Sequence, residues 1–185
     1  LIKRFNNSLS AKEILNRWTN KTSKGIQIGA TNNEEDIKDW VNLIQENMNI
    51  SVPFEEFKRL YEQELSSIKY YKNVVKYAHS LKSRCKIAIL SNLMSFDKKR
   101  IDEQYDLSKF DYVYLSFEIG IRKPDRKIYE YVLNDLKTLP ENILFIDDDT
   151  NNILTAKEYG WNTCQAFGYE LDKIKSAVEQ FLTIS

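Results

Sequence analysis

Apolar residues along this chain follow two rhythms, and the change between them falls near residue 84. Over residues 8–83 they recur at three- and four-residue spacing, the period of helices with one buried face. Ser10-x-x-Glu13 is a capping-box pattern, in which hydroxyl and carboxylate satisfy the free N–H groups of a helix start; Ile14, Leu15 and Trp18 follow it. Thr31-x-x-Glu34 repeats the signal before Ile37, Trp40, Val41 and Ile44, and Gly25 and Gly29 mark residues 21–30 as the intervening loop. Pro53 suits the first turn of a third helix carrying Phe54, Phe57, Leu60, Tyr61 and Leu65. A fourth helix is predicted over 72–81, with Val74, Val75, Ala78 and Leu81 inward.

From Lys86 onward, short apolar runs alternate with helical spacing. Strands are predicted over 87–90, 111–115, 143–146 and 162–167. Helices follow them, through Ile101, over 124–136, over 151–159 and to near Leu182. Such alternation implies right-handed crossovers and a parallel sheet. Ile87-Ala88-Ile89-Leu90 and Ile143-Leu144-Phe145-Ile146 lack polar alternation, so both are predicted inside the sheet, covered on both faces. The expected fold class is α/β: a doubly wound parallel sheet over 84–185 with a helical cap over 5–83.

Composition narrows the function. A chain of 185 residues suits one domain plus a modest insert and can bury a core without staples. Lysine plus arginine and aspartate plus glutamate number 27 each, so no global field recruits nucleic acid or anionic lipid. No apolar stretch reaches membrane-spanning length and no signal-peptide pattern opens the chain. Cys85 and Cys164, far apart and within apolar segments, read as buried reduced thiols, which suggests a cytoplasmic setting. His79, the single histidine, lies on the fourth helix and reads as structural. Trp18 and Trp40 on the cap helices offer a face for a homodimer.

The candidate chemistry lies where strands end. Ligands of open parallel sheets bind beyond the carboxyl ends of the strands, and Ser91, Lys123 and Asp147-Asp148-Asp149 all fall on that rim. Adjacent carboxylates repel unless a proton or a cation intervenes, and hard oxygen donors suit Mg²⁺. Lys123 supplies a point charge for a phosphoryl group, while Ser91 Oγ and the N–H groups around Asn92 can donate to its oxygens. Each piece has a plain structural reading too. The three aspartates can be a solvated turn capping the helix at Asn151, Ser91-Asn92 an ordinary strand-to-helix turn, and Lys123 a surface lysine at a helix start. Their shared rim is what joins them.

In that order, Leu90-Ser91-Asn92, Gly120-Ile121-Arg122-Lys123-Pro124-Asp125 and Phe145-Ile146-Asp147-Asp148-x-x-x-Asn152-x-x-x-Ala156-x-x-x-Gly160-Trp161 resemble the second, third and fourth motifs of the haloacid dehalogenase-like (HAD) hydrolases. The resemblance is closest to the phosphatase branch with a helical cap, which includes the amino-terminal domain of epoxide hydrolases. It implies a Mg²⁺-dependent hydrolase of small phosphorylated metabolites working through an aspartyl-phosphate. It further implies that Ser91 and Asn92 bind phosphate, that Lys123 stabilises the anionic intermediate, and that Asp148 ligates the metal with Asp147 as second ligand or orienting partner. Asn152 stands where some relatives carry another acid, and Asp149 has no counterpart role. A 2-haloacid dehalogenase, or an inactive phosphate-, metal- or partner-binding protein of the same fold, are the alternatives; the paired aspartates argue for a metal and against the dehalogenase. The family's first motif, an aspartate nucleophile ending a central strand, has no match, and Leu1-Ile2 resemble the residues after it. The expectation is a chain starting about ten residues late, judged by a strand plus its loop. The absent strand would lie between the first and third strands here, leaving two apolar edges at a gap. As it stands the chain is expected to be inactive. Arg17, Lys21 and Lys24 in the cap identify no substrate.

Overall fold

The computed structural model describes residues 51–66 and 71–184 and, before them, Lys38, Val41, Asn42, Gln45 and Glu46. These five positions are helical and Val41 is buried; the rest of the two helices predicted after Ser10 and Thr31 lies outside the described residues, Trp18 and Trp40 included. Helix α1 (Phe54–Ser66) buries Phe57 and Leu60, the inner face its spacing predicts. The Pro53 carbonyl accepts from Phe57 N–H at 2.9 Å, so Pro53 caps the helix rather than sitting inside its first turn. Helix α2 (Lys72–Ser80) leads through a tight turn, with Leu81 buried at its end.

Four strands alternate with helices. Strand β1 (Ala88–Ser91) is followed by a 3₁₀ turn at Ser95–Asp97 and helix α3 (Lys98–Tyr105). Strand β2 (Tyr112–Leu115) runs directly into a short helix α4 (Ser116–Ile119), which Gly120 ends at φ 76°. Helix α5 (Arg126–Leu136), strand β3 (Leu144–Asp147), helix α6 (Thr150–Glu158), strand β4 (Asn162–Gln165) and helix α7 (Leu171–Ile184) complete the order. β1 pairs in parallel with β2, and β3 with β4; among the described residues no strand joins β1 to β3.

Side chains alternate between the faces. Leu90, Tyr114 and Phe145 point into one core with Ile128 and Tyr129 of α5, Ala156 of α6 and Trp161. The rings of Tyr129, Phe145 and Trp161 meet edge to face there, with centroids 5.2–6.1 Å apart. On the opposite faces, Ile89, Val113 and Leu115 pack with Ile101 and Tyr105, and Leu144, Ile146 and Cys164 pack with Ile174 and Val178 of α7. Both strand pairs share the first core, so one helix-covered α/β body carries them.

Some boundaries differ from expectation. The two apolar runs do lie between layers, yet β1 is only half-buried and Ala88 is exposed, because β1 and β3 each pair on one side among the described residues. Ser91 and Asp147 are the last residues of their strands rather than the first beyond them. Helix α5 begins at Arg126, not Pro124, since Asp125 turns to cap it and accepts from Lys127 N–H at 3.0 Å. β4 stops two residues early, at Gln165.

Candidate active site

Three chain segments meet at the carboxyl ends of β1 and β3. Lys123, in the turn before α5, is 6% exposed, and its ammonium bridges the two strands. Lys123 Nζ donates to the Leu90 carbonyl of β1 at 2.7 Å and to Asp147 Oδ2 of β3 at 2.6 Å. It also lies 5.3 Å from the centre of the Phe145 ring, whose face favours a cation. A buried lysine is tolerated only with such compensation.

Asn92 fixes where Lys123 sits. Its amide donates to the Lys123 carbonyl and accepts from the Lys123 N–H, both at 2.8 Å. Its side chain is thus spent on the lysine's own backbone. Ser116, fully buried, steadies the same loop: Oγ accepts from Leu93 N–H at 3.0 Å and donates to the Leu93 carbonyl at 3.3 Å. Ser91 stands between the two residues that bond Lys123, and its hydroxyl makes no hydrogen bond among the described residues.

The three aspartates divide into three environments. Asp147 is inward: Oδ1 accepts from Asp149 N–H at 2.8 Å and from Asn152 Nδ2 at 3.0 Å, while Oδ2 takes the Lys123 ammonium. Asp148 is exposed, and its carboxylate has no hydrogen bond or ion pair among the described residues. Asp149 caps α6, accepting from Asn151 and Asn152 N–H at 2.7 and 3.2 Å. The helix-cap reading of the acidic run therefore holds for Asp149, while Asp147 takes the Lys123 ammonium and Asp148 lies exposed just beyond β3. Burial lowers the Arg122 guanidinium from its ordinary value, opposed by the nearby Asp149 charge. Burial, with the Asp147 and Asp149 charges, raises the Tyr129 phenol, which donates to the Asn152 carbonyl at 3.0 Å.

Asn152 and Ser116 are the positioning residues that spacing alone undervalued. Asn152 had a signal, one turn into the helix that Asp149 opens; Ser116 had none, because its helix is too short to show a period. Among the described residues no three His, Cys, Asp or Glu side chains converge to hold a metal, so Asp147 and Asp148 are the carboxylates the rim offers. Nor is any described helix long and apolar enough to cross a membrane.

A family model described as haloacid dehalogenase-like hydrolase matches residues 3–166. The chain belongs to that family. Among curated proteins, this HAD-like chain is 38% identical over 55 residues to a D-ribitol-5-phosphate phosphatase of Bacteroides thetaiotaomicron, covering 30% of this chain and 27% of that protein. It is 31% identical over 75 residues to the sesquiterpene phosphatase astK of Aspergillus oryzae, covering 40% and 38%. The chain thus spans well under two thirds of these relatives. Its fold resembles the crystal structure of a HAD family enzyme from Bacteroides thetaiotaomicron in complex with magnesium, with TM-score 0.66, 21% identity, and coverage of 86% of this chain and 83% of that one. The doubly wound α/β fold is therefore that of the HAD-like hydrolases, and phosphatases are among its relatives.

Proposed function

We propose that this HAD-like hydrolase chain builds the phosphate and Mg²⁺ site of a phosphatase for small phosphate monoesters. One observation carries the reading: a buried lysine holds the inner aspartate at 2.6 Å, while the adjacent Asp148 carboxylate and the Ser91 hydroxyl remain open at the rim. The donors suit the ion. Asp148 offers two hard oxygens without competing partners, and Asp147 Oδ2 keeps one lone pair after the Lys123 bond, so Asp148 is the direct ligand and Asp147 a second ligand or its orienting partner. Mg²⁺ bound there would neutralise phosphoryl charge.

The chain's own groups supply the rest. Ser91 Oγ donates to a phosphoryl oxygen, and Lys123 places its charge beside it, held by Asn92. The reaction needs a carboxylate nucleophile ending a strand between β1 and β3, where no described strand lies. That carboxylate attacks phosphorus as the ester P–O bond breaks and the leaving alcohol takes a proton; water then releases phosphate from the aspartyl-phosphate. The cap would close over the rim and exclude water.

Calorimetric titration of the chain with Mg²⁺ and then inorganic phosphate tests the site. Phosphate binding that requires Mg²⁺, and that Lys123→Ala and Asp148→Asn each abolish, is the expected result. Phosphate binding indifferent to Mg²⁺ and to both substitutions would overturn it. Turnover of a phosphate monoester by the 185-residue chain alone would show that the nucleophile lies elsewhere in it.

A further inference from the structure

Directly before Lys123 stands a second cation, Arg122, half-buried in the same turn. Its Nε is shielded from solvent and has no hydrogen-bond partner. Among the described residues its guanidinium makes no ion pair either, whereas the Lys123 ammonium beside it is fully compensated. A shielded donor is unfavourable until an acceptor reaches it, so an unpaired guanidinium beside a ligand site calls for an anion.

The root of Arg122 is pinned to the loop that carries Ser91. The peptide N–H that follows it, that of Lys123, donates to Asn92 Oδ1 at 2.8 Å, and the Arg122 carbonyl accepts from Asp125 N–H at 2.9 Å. Its head lies toward the opposite loop, where the Asp149 charge acts on it. Asp149 does not neutralise it by contact, because Asp149 Oδ1 takes the Asn151 and Asn152 N–H groups at 2.7 and 3.2 Å. The Asp149 N–H donates in turn to Asp147 Oδ1 at 2.8 Å, and Asp147 Oδ2 takes Lys123 at 2.6 Å. Arg122 and Lys123 thus both run from the loop after β1 toward the end of β3. One has its charge matched and the other has it open.

We infer that Arg122 is a second phosphate-binding residue of this rim, its guanidinium taking phosphoryl oxygens that Ser91 and Lys123 leave; this rests on the phosphatase reading. A guanidinium presents its N–H donors as a planar fork that matches two oxygens of one phosphoryl group, which a lysine ammonium does not. The anion it meets is the one at Ser91, because its backbone is fastened to that loop through Asn92. A cation here attracts phosphate but repels Mg²⁺ at Asp148, so the two affinities should respond to its removal with opposite sign.

Calorimetric titration of the chain with Mg²⁺ alone, and then with inorganic phosphate in its presence, tests this when each variant is also unfolded in urea. Arg122→Ala should weaken phosphate binding about tenfold to a hundredfold, the loss of charge-assisted hydrogen bonds. Mg²⁺ binding should be no weaker, and the urea midpoint no lower, since the side chain has no partner to lose. Arg122→Lys should recover part of the phosphate affinity, because a point charge replaces the fork. A structural arginine would instead lower the midpoint and weaken both ligands together, and that outcome would overturn the assignment. Wild-type phosphate affinity in Arg122→Ala would overturn it too, while sparing the phosphatase reading. Absence of Mg²⁺-dependent phosphate binding in the wild type would remove that reading and the assignment with it.

Discussion

At the scale of single residues, the rim is organised by a largely buried charge pair. The Lys123 and Asp147 side chains are 8% and 7% exposed and meet at 2.6 Å. Removing one member leaves the other charged and unmatched, so Lys123→Met is expected to cost about 3–5 kcal/mol in urea unfolding. An unchanged midpoint would mean that the surrounding packing, not the pair, fixes the turn. The neighbouring aspartates make a second contrast. Asp149→Ala removes the α6 cap and should cost about 1 kcal/mol while sparing Mg²⁺ affinity; Asp148→Ala should leave stability untouched and abolish Mg²⁺ binding. Reversed outcomes in paired denaturation and calorimetry would exchange their roles. The sequence showed three adjacent carboxylates but not this division. It depends on where β3 stops: Asp147, its last residue, takes the Lys123 ammonium, Asp148 lies exposed beyond the strand, and the helix start claims Asp149. Asn92 was legible as a polar residue past a strand, but not as the clamp on Lys123, since that bond spans 31 positions.

Elements with a clear period were legible, and those without one were not. The apolar runs announced β1 and β3, and the helix predicted over 124–136 is α5, which buries Ile128, Tyr129 and Val132. The short α4 and the 3₁₀ turns stayed hidden because three or four residues cannot display a repeat. β4 was read too long for a related reason: Ala166 and Phe167 continue the apolar composition, yet Gly168 lets Tyr71 press onto the backbone and the chain turns. Gly168→Ala drives its Cβ into the Tyr71 ring, so α2 and the start of α7 must part, and about 1–3 kcal/mol of stability should be lost. Gly168→Ala/Tyr71→Ala should recover much of it, since the clash has one partner. A single variant as stable as the wild type in thermal unfolding would show that the Tyr71 ring can swing aside freely.

Across the whole molecule, distant segments are fastened by carboxylates held below their ordinary range. Glu179 of α7 grips Arg84 before β1 through bonds of 2.7 and 2.8 Å, and Asp111 before β2 accepts from Ile87 N–H at 2.9 Å with Lys86 and Lys82 nearby. The Arg84 hydrogen bond holds Glu179 below its ordinary 4.5, and the Ile87 N–H holds Asp111 below its ordinary 3.8. Asp106 is lowered likewise by Lys109 and Ser108. A carboxyl lowered in the folded state binds protons more readily once unfolded, so its stabilisation is complete above the unfolded value and is lost as pH falls through the folded one. The other limb has the opposite sign. Burial raises the Cys85 and Cys164 thiols above 9.0 and the Tyr114 and Tyr129 phenols above 10.0, so stability present below those values declines as pH rises past them. The urea midpoint should therefore form a plateau from about pH 5 to 8, falling on both sides. Glu179→Gln should flatten part of the acid limb alone, and added salt should shrink it, because the Arg84–Glu179 pair is exposed to solvent. An acid limb that neither salt nor Glu179→Gln alters would show that the Arg84–Glu179 pair does not shape it and would overturn that assignment.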